Sequence, residues 1–463
     1  MTRTDLHNCL DTLLQADDAP LYKGELTGLV SQMLKDRDNL LDIAHTFGTP
    51  LYMVDEPRLV QQIDRFRAAF ASKNARIHYA FKANPSLPIV QAIQKTGLCA
   101  DASSGLELDL ALRCGFEHII FSGPAKTDDE LRLAVQHANR VTVHLDSFLE
   151  RERLNVFAAE AGMTMRVGIR LNTSAHGLWT KFGISLDALP KFVQSSKKFT
   201  HLDLQGVQFH LSWNRQSGGY QRTLAELGPV LTTNQPAGGW RFIDIGGGYY
   251  PEDDEAVYPW LTRQNKVRAL LEGTSFDGPP DDWDLQYLIH PVQPIEEMAQ
   301  NIITAYDNQF ASLNNPQLWL EPGRYLANPA VNLLLQVRDV KGPQIAITDG
   351  GTNLLGWEKL ESEHCPLINL THPATTQIPI RMYGSLCTPH DLWGFACYAD
   401  RVEVDDILLL PAQGSYVQTL VQRFIKPVCQ TVLRDLSGEV TRVVDTETLE
   451  DRYPQLQSEP FTL

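Results

Sequence analysis

Basic runs are missing from this 463-residue sequence: 40 lysines and arginines stand against 56 aspartates and glutamates, a net charge of −16. Nothing in it can follow a phosphate backbone, which excludes nucleic acid as a partner. Apolar stretches of about 18 residues, the length a membrane helix needs, are also missing. The opening MTRTDLHNCLDTLLQADD has acids where a secretory signal needs a basic segment and then an apolar one. These absences lead us to expect a soluble, cytoplasmic protein with no membrane partner. Cysteine is sparse and scattered. Cys9, Cys99, Cys114, Cys365, Cys387, Cys397 and Cys429 are odd in number and form no C-x-x-C pair, which leaves no zinc or dithiol motif and no metal expected. Internal repeats and low-complexity tracts are absent too. What remains is 43% hydrophobic and 21% charged, the balance of a folded chain. Its length implies two or three domains.

Residues 1–47 carry helical spacing and read as an N-terminal helical segment packing on the main fold. Gly48-Thr49-Pro50 stops that pattern before the β-rich run Leu51–Asp55. Apolar, β-branched runs then recur at Ile77–Phe81, Leu98–Ala100, Ile119–Phe121, Val141–Leu145, Met165–Leu171, Leu204–Leu211, Phe242–Ile245 and Leu318–Leu320. Helical spacing fills most of the gaps, at Pro88–Lys95, Leu106–Cys114, Asp128–Ala138 and Phe148–Ala161. Eight such units predict an α/β fold in which residues 48–325 close into a (β/α)8 barrel. The Pro-, Asp- and Gly-rich stretch 251–292 reads as an insertion after the seventh strand. Beyond Arg324 the runs Val331–Val337, Gln344–Thr348, Ile378–Met382 and Asp406–Leu410 have few helices between them, so 326–463 reads as a C-terminal β-rich, β-barrel-like domain.

Reactive groups of such a barrel belong at the C-terminal ends of its strands. The first strand opens into Lys82, where burial would favour the neutral, nucleophilic amine. A lone lysine there is more often a snorkelling surface residue. The sixth strand ends in His210, the seventh in Gly246-Gly247-Gly248, whose N–H groups can converge on an anion. The eighth ends in Glu321-Pro322-Gly323-Arg324, a carboxylate and a guanidinium three residues apart. Together an amine, an aromatic ring, a glycine nest, an acid and an arginine make the set that a pyridoxal phosphate site requires.

The ordered motifs YAFKANP, DASSGLEL with Glu107, FSGPAKT, HLDSF with Asp146 and Ser147, GVQFHLS, DIGGGY, LEPGRY, TDGGTN, SLCTPHD and GSY run from about residue 48 to about 430. In them the chain resembles the fold-type III pyridoxal phosphate decarboxylases, the diaminopimelate and ornithine decarboxylase family, which shares the alanine racemase barrel. The resemblance implies pyridoxal 5'-phosphate as cofactor and release of CO2 from the α-carbon of an amino acid. It implies that Lys82 carries the cofactor and His210 stacks on it. Ser212, Gly246, Gly247, Gly248, Gly323, Arg324 and Tyr416 would surround the phosphate, and Glu321 would keep the ring nitrogen protonated. It further implies a homodimer with shared active sites, the C-terminal domain giving Cys387 and Asp391 to the partner's site and Cys387 acting as proton donor.

The departures concern the substrate. Where diaminopimelate decarboxylases hold the distal end with an arginine and a tyrosine after the DGG-x-N motif, this chain has Trp357 and Glu361, with Glu358 beside them. Thr388 replaces the acid that normally follows the family cysteine, and Trp213 replaces a phosphate-binding serine. Gln422-Arg423-Phe424 stands where relatives have asparagine, tyrosine and asparagine. Asp391, Thr388, Glu361, Arg423 and Phe424 are therefore the expected substrate contacts. They point away from meso-diaminopimelate, toward a D- or L-basic amino acid or an amino acid conjugate such as a siderophore or antibiotic precursor. The rival readings are an amino acid racemase on the same fold and a non-catalytic cofactor-binding protein. Racemases of this fold place an arginine at the ring nitrogen, so Glu321 and Cys387 favour decarboxylation.

Overall fold

A computed structural model describes residues 22–24, 26–173, 178–252, 256–257, 287–356 and 365–457. Residues 1–21, most of the expected insertion and the expected substrate residue Glu361, with Trp357 and Glu358, lie outside the described residues. The chain divides into two compact units, Arg58–Pro251 with Gln293–Ala327, and Met1–Pro57 with Glu252–Val292 and Asn328–Leu463.

In the unit from Arg58, eight strands pair in parallel in the order of the chain: Arg76–Ala80, Cys99–Ala102, Ile119–Phe121, Val141–Leu145, Met165–Asn172, Leu202–Gln208, Phe242–Asp244 and Gln317–Leu320. The ring closes because Trp319 and Leu320 of the last strand pair with Arg76 and Ile77 of the first. Every predicted run supplies a strand, displaced by no more than a few residues. Helices Leu87–Lys95, Gly105–Arg113, Asp128–Gln136 and Phe148–Glu160 alternate with the first strands. Several motif residues turn out to cap these helices. Ser104 Oγ accepts from Glu107 N, Thr127 and Glu130 form a reciprocal capping box, and Ser147 Oγ accepts from Glu150 N.

Side chains alternate in and out along a strand, so inward positions recur every second residue and stack in layers across the barrel. One layer is aromatic. The ring of Phe242 lies flat on Trp319 with centroids 3.7 Å apart, and His144 stacks on Phe242 at 5.8 Å. Gly168 and Gly206 make room for that ring, since a Cβ on Gly206 would lie 2.4 Å from it. Two residues further along the same strands come Arg170, Gln208, Asp244 and Glu321. This second, polar layer sits at the strands' C-terminal ends.

The other unit holds a nine-stranded sheet. Ile345–Thr348, Gln377–Tyr383, Leu392–Tyr398, Ile368–Asn369, Ile407–Leu410 and Val331–Val340 close into a ring, since Val331–Val340 also pairs with Ile345–Thr348. Leu51–Asp55 is a strand as predicted, but its place corrects the domain boundary expected at residue 48. It pairs with Val331–Val340 and Gln430–Arg434 and belongs to this sheet, not to the barrel. Helices Thr27–Leu34 and Arg37–Phe47 bury Leu29, Val30, Leu40 and Ile43 in the same core.

Candidate active site

The polar layer gathers three acids that are almost wholly buried, Asp101, Asp244 and Glu321. Lys82 lies in the short turn that ends the first strand and donates from Nζ to Asp101 Oδ2 at 3.1 Å. Its side chain keeps 32% of its surface, so the amine is ion-paired rather than stripped of water as expected. Ser122 donates to the other oxygen of Asp101. Burial raises the Asp101 carboxyl above the usual carboxylate range and the Glu321 charge adds to this, while Lys82 and Ser122 oppose it. The same acid therefore feels both Lys82 and Glu321. Gly323 allows this closeness: a Cβ there would lie 2.8 Å from Ala83 Cβ, so the end of the eighth strand packs against the Lys82 turn.

Gln208 Nε2 donates to both oxygens of Glu321, at 3.2 and 3.4 Å. His210 Nδ1 stands 3.7 Å from Glu321 Oε2. That nitrogen accepts from Gly247 N at 3.2 Å, which assigns the ring proton to Nε2, beside Ser212 Oγ at 3.3 Å. Burial, then the charges of Lys82 and Arg170, hold the His210 pKa well below its ordinary value. The ring is neutral and presents a flat face rather than a charge.

The glycine turn differs from the nest expected. Gly246 N donates to Asp244 Oδ1 at 2.8 Å and Gly247 N to His210, so two of the three N–H groups are already used. Gly246 and Gly248 have φ of +71° and +97°, and a Cβ on Gly247 would lie 2.2 Å from the Glu321 carbonyl oxygen. These glycines are required by crowding, and Gly248 N–H remains for an outside acceptor. Tyr220 donates to the Gly247 carbonyl at 2.6 Å and anchors the turn. Arg324 is buried with its guanidinium 4.8 Å from the Tyr250 ring. Beside His210 and Ser212 opens a cleft of about 410 Å³ whose polar lining includes Arg170, Asn172, Asn214, Arg222 and Glu226.

The remaining expected residues lie in the other unit. Cys387 is the exposed thiol among the described cysteines. Asp391, expected to contact substrate, makes its bonds within this unit. It is buried, with Oδ1 accepting from Thr352 N at 2.7 Å and Thr352 Oγ1 at 2.9 Å, and Oδ2 accepting from Leu386 N at 2.5 Å. With both oxygens filled, its carboxylate pins the loop that carries Cys387 and Thr388. Arg423, expected to meet a substrate carboxylate, instead pairs with Glu447 at 2.8 Å. Phe424 is exposed, and Tyr416 is half-buried with φ of +57°. Sequence reasoning singled out neither Asp101 nor Gln208 nor Arg170. Each is a polar residue in a barrel strand at an inward position, the signal that found Glu321.

Residues 56–328 match the family described as pyridoxal-dependent decarboxylase, pyridoxal binding domain. The chain is 27% identical to a diaminopimelate decarboxylase of Mycobacterium tuberculosis, covering 89% of this chain and 92% of that one. The solved structure of AQ1208 from Aquifex aeolicus is 25% identical with a TM-score of 0.70, over 90% of this chain and 94% of that one. A diaminopimelate decarboxylase structure from M. jannaschi is 23% identical with a TM-score of 0.73, over 91% and 94% respectively.

Proposed function

The chain belongs to the pyridoxal-dependent decarboxylases, and from that premise we propose that the polar layer of its barrel removes the α-carboxylate of an amino acid conjugate, releasing CO2 and an amine. The observation that carries this reading is the shared acid: Asp101 bonds to Lys82 and lies under the charge of Glu321, so amine and acid face one space. The residues fit pyridoxal phosphate. The Lys82 ammonium meets the buried Asp101 carboxylate, and a cationic ring nitrogen would meet that of Glu321. Gly248 N–H, the Ser212 hydroxyl and the Arg324 guanidinium are donors suited to a phosphate.

When bound, the cofactor supplies the electron sink that makes loss of CO2 from an α-carbon accessible. The chain's own residues do the rest. Asp101, with its raised carboxyl, takes the proton of Lys82 Nζ and leaves that nitrogen a nucleophile. Neutral His210 would cover a face of the bound ring without competing for the positive charge. Glu321 would hold a negative charge at the ring nitrogen. Cys387, exposed and so within reach of a second copy of the chain, returns a proton to the α-carbon in a homodimer with shared sites.

Thr388 puts no charge beside Cys387, and the cleft at His210 carries side chains of both signs. A conjugate with a polar distal arm therefore fits better than a short basic amino acid. The test is CO2 release from the protein with pyridoxal phosphate and a panel of free D- and L-amino acids and carboxylated conjugates. Release from conjugates, lost in Cys387→Ala with cofactor still bound, is the expected result. Inverted stereochemistry without CO2 would make the protein a racemase, and release from free basic amino acids alone would remove the conjugate.

A further inference from the structure

Asp244 has no role in the reading above, yet it is fully buried beside the residue on which that reading turns. One oxygen of Asp244, one of Glu321 and one ring nitrogen of His144 all lie within 4.8 Å of one another. Asp244 Oδ1 accepts from Gly246 N, whereas among the described residues no neighbour donates to Oδ2. Two ionised carboxylates at this separation, without water, repel each other strongly. The charged and titratable groups around them come from every side of the barrel. Lys82 is committed to Asp101. Arg170 donates to the Ser122 carbonyl, and Lys126 bonds to Glu150 and the His144 carbonyl. His144 and His210 are held neutral by burial and by those cations. None of these cations pairs with Asp244.

We infer that Asp244 is a positioning residue that carries a proton on Oδ2 and turns it toward Glu321, so that the single negative charge of the pair resides on Glu321. The orphaned oxygen and the crowding of two acids then have one cause. Burial and the Glu321 charge both push the Asp244 carboxyl well above the usual carboxylate range, in agreement with this. The arrangement also ties the glycine turn to the acid: Oδ1 holds Gly246 in its left-handed conformation while Oδ2–H orients Glu321. The inference rests on the proposed role of Glu321 at the ring nitrogen.

The direct test is infrared difference spectroscopy of the full-length holoprotein, wild type against Asp244→Asn, at neutral pH. The expected result is a protonated-carboxyl stretch in the wild type, shifted in D2O and absent from the variant. Because that variant can fail to fold, protein labelled with 13C at aspartate carboxyls supplies an independent measure, with a carboxyl carbon in the protonated range at neutral pH that persists in Asp101→Asn. Asparagine keeps both an acceptor for Gly246 and a donor for Glu321. Asp244→Ala is therefore expected to lose about 10–100-fold in turnover, and Asp244→Asn to recover most of it. All aspartate carboxyls ionised in the wild type would overturn the inference, as would Asn and Ala behaving alike. A protonated Asp244 in a chain that binds no pyridoxal phosphate would instead overturn the proposed function and leave this proton in place.

Discussion

At the scale of single residues, the barrel interior shows what it costs to bury ionisable groups. His210, His144 and His78 are all held well below the ordinary histidine value, with burial the largest cause in each. The sign of the consequence is fixed. The unfolded chain takes up protons as pH falls below about 6.5 and the folded chain does not, so these histidines lower stability on acidification. The raised carboxyls of Asp101, Glu107 and Asp244 act in the opposite sense, because the folded state binds their protons first. Comparing the wild type with His210→Gln isolates one histidine. Between pH 7 and 5.5 the wild type should lose about 1 kcal/mol more than the variant, read from denaturant midpoints at the two pH values. Equal losses would mean that His210 is charged in the fold.

At the scale of elements, the polar layer stands on the aromatic one. Phe242 is clamped between Trp319 and His144 and has no free side toward which to shift, so the missing Cβ at Gly206 is a packing requirement. Gly206→Ala should destabilise the chain by about 1–3 kcal/mol, measured by denaturant unfolding of the barrel. The eight strands were legible because apolar, β-branched runs separated by helical spacing carry their own period. The sheet to which Leu51–Asp55 belongs was not, because its partners Val331–Val340 and Gln430–Arg434 lie hundreds of residues away and local pattern contains no pairing information. Within the site, Lys82 and Glu321 were found because a charge at the end of an apolar strand is conspicuous. Period two puts Asp101, Gln208 and Arg170 in the same layer, which the apolar runs by themselves do not mark. Asp391 and Arg423 were placed by resemblance alone, and their partners Thr352, Leu386 and Glu447 are set by folding that no short motif records.

At the scale of the whole molecule, the chain falls into two units: one builds the polar layer, and the other carries Cys387, Tyr416 and the loop pinned by Asp391. No helix among the described residues is long and apolar enough to cross a membrane. Within a chain of net charge −16, the mouth of the barrel is where an amine, a guanidinium and backbone N–H groups meet buried acids. The central claim is that this mouth holds pyridoxal phosphate on one particular amine. Reducing the full-length protein with borohydride in the presence of the cofactor, then mapping its peptides by mass, tests that claim most directly. A phosphopyridoxyl group on Lys82 and on no other lysine is the predicted result. An unmodified Lys82, or an adduct carried by another lysine such as Lys126, would contradict it.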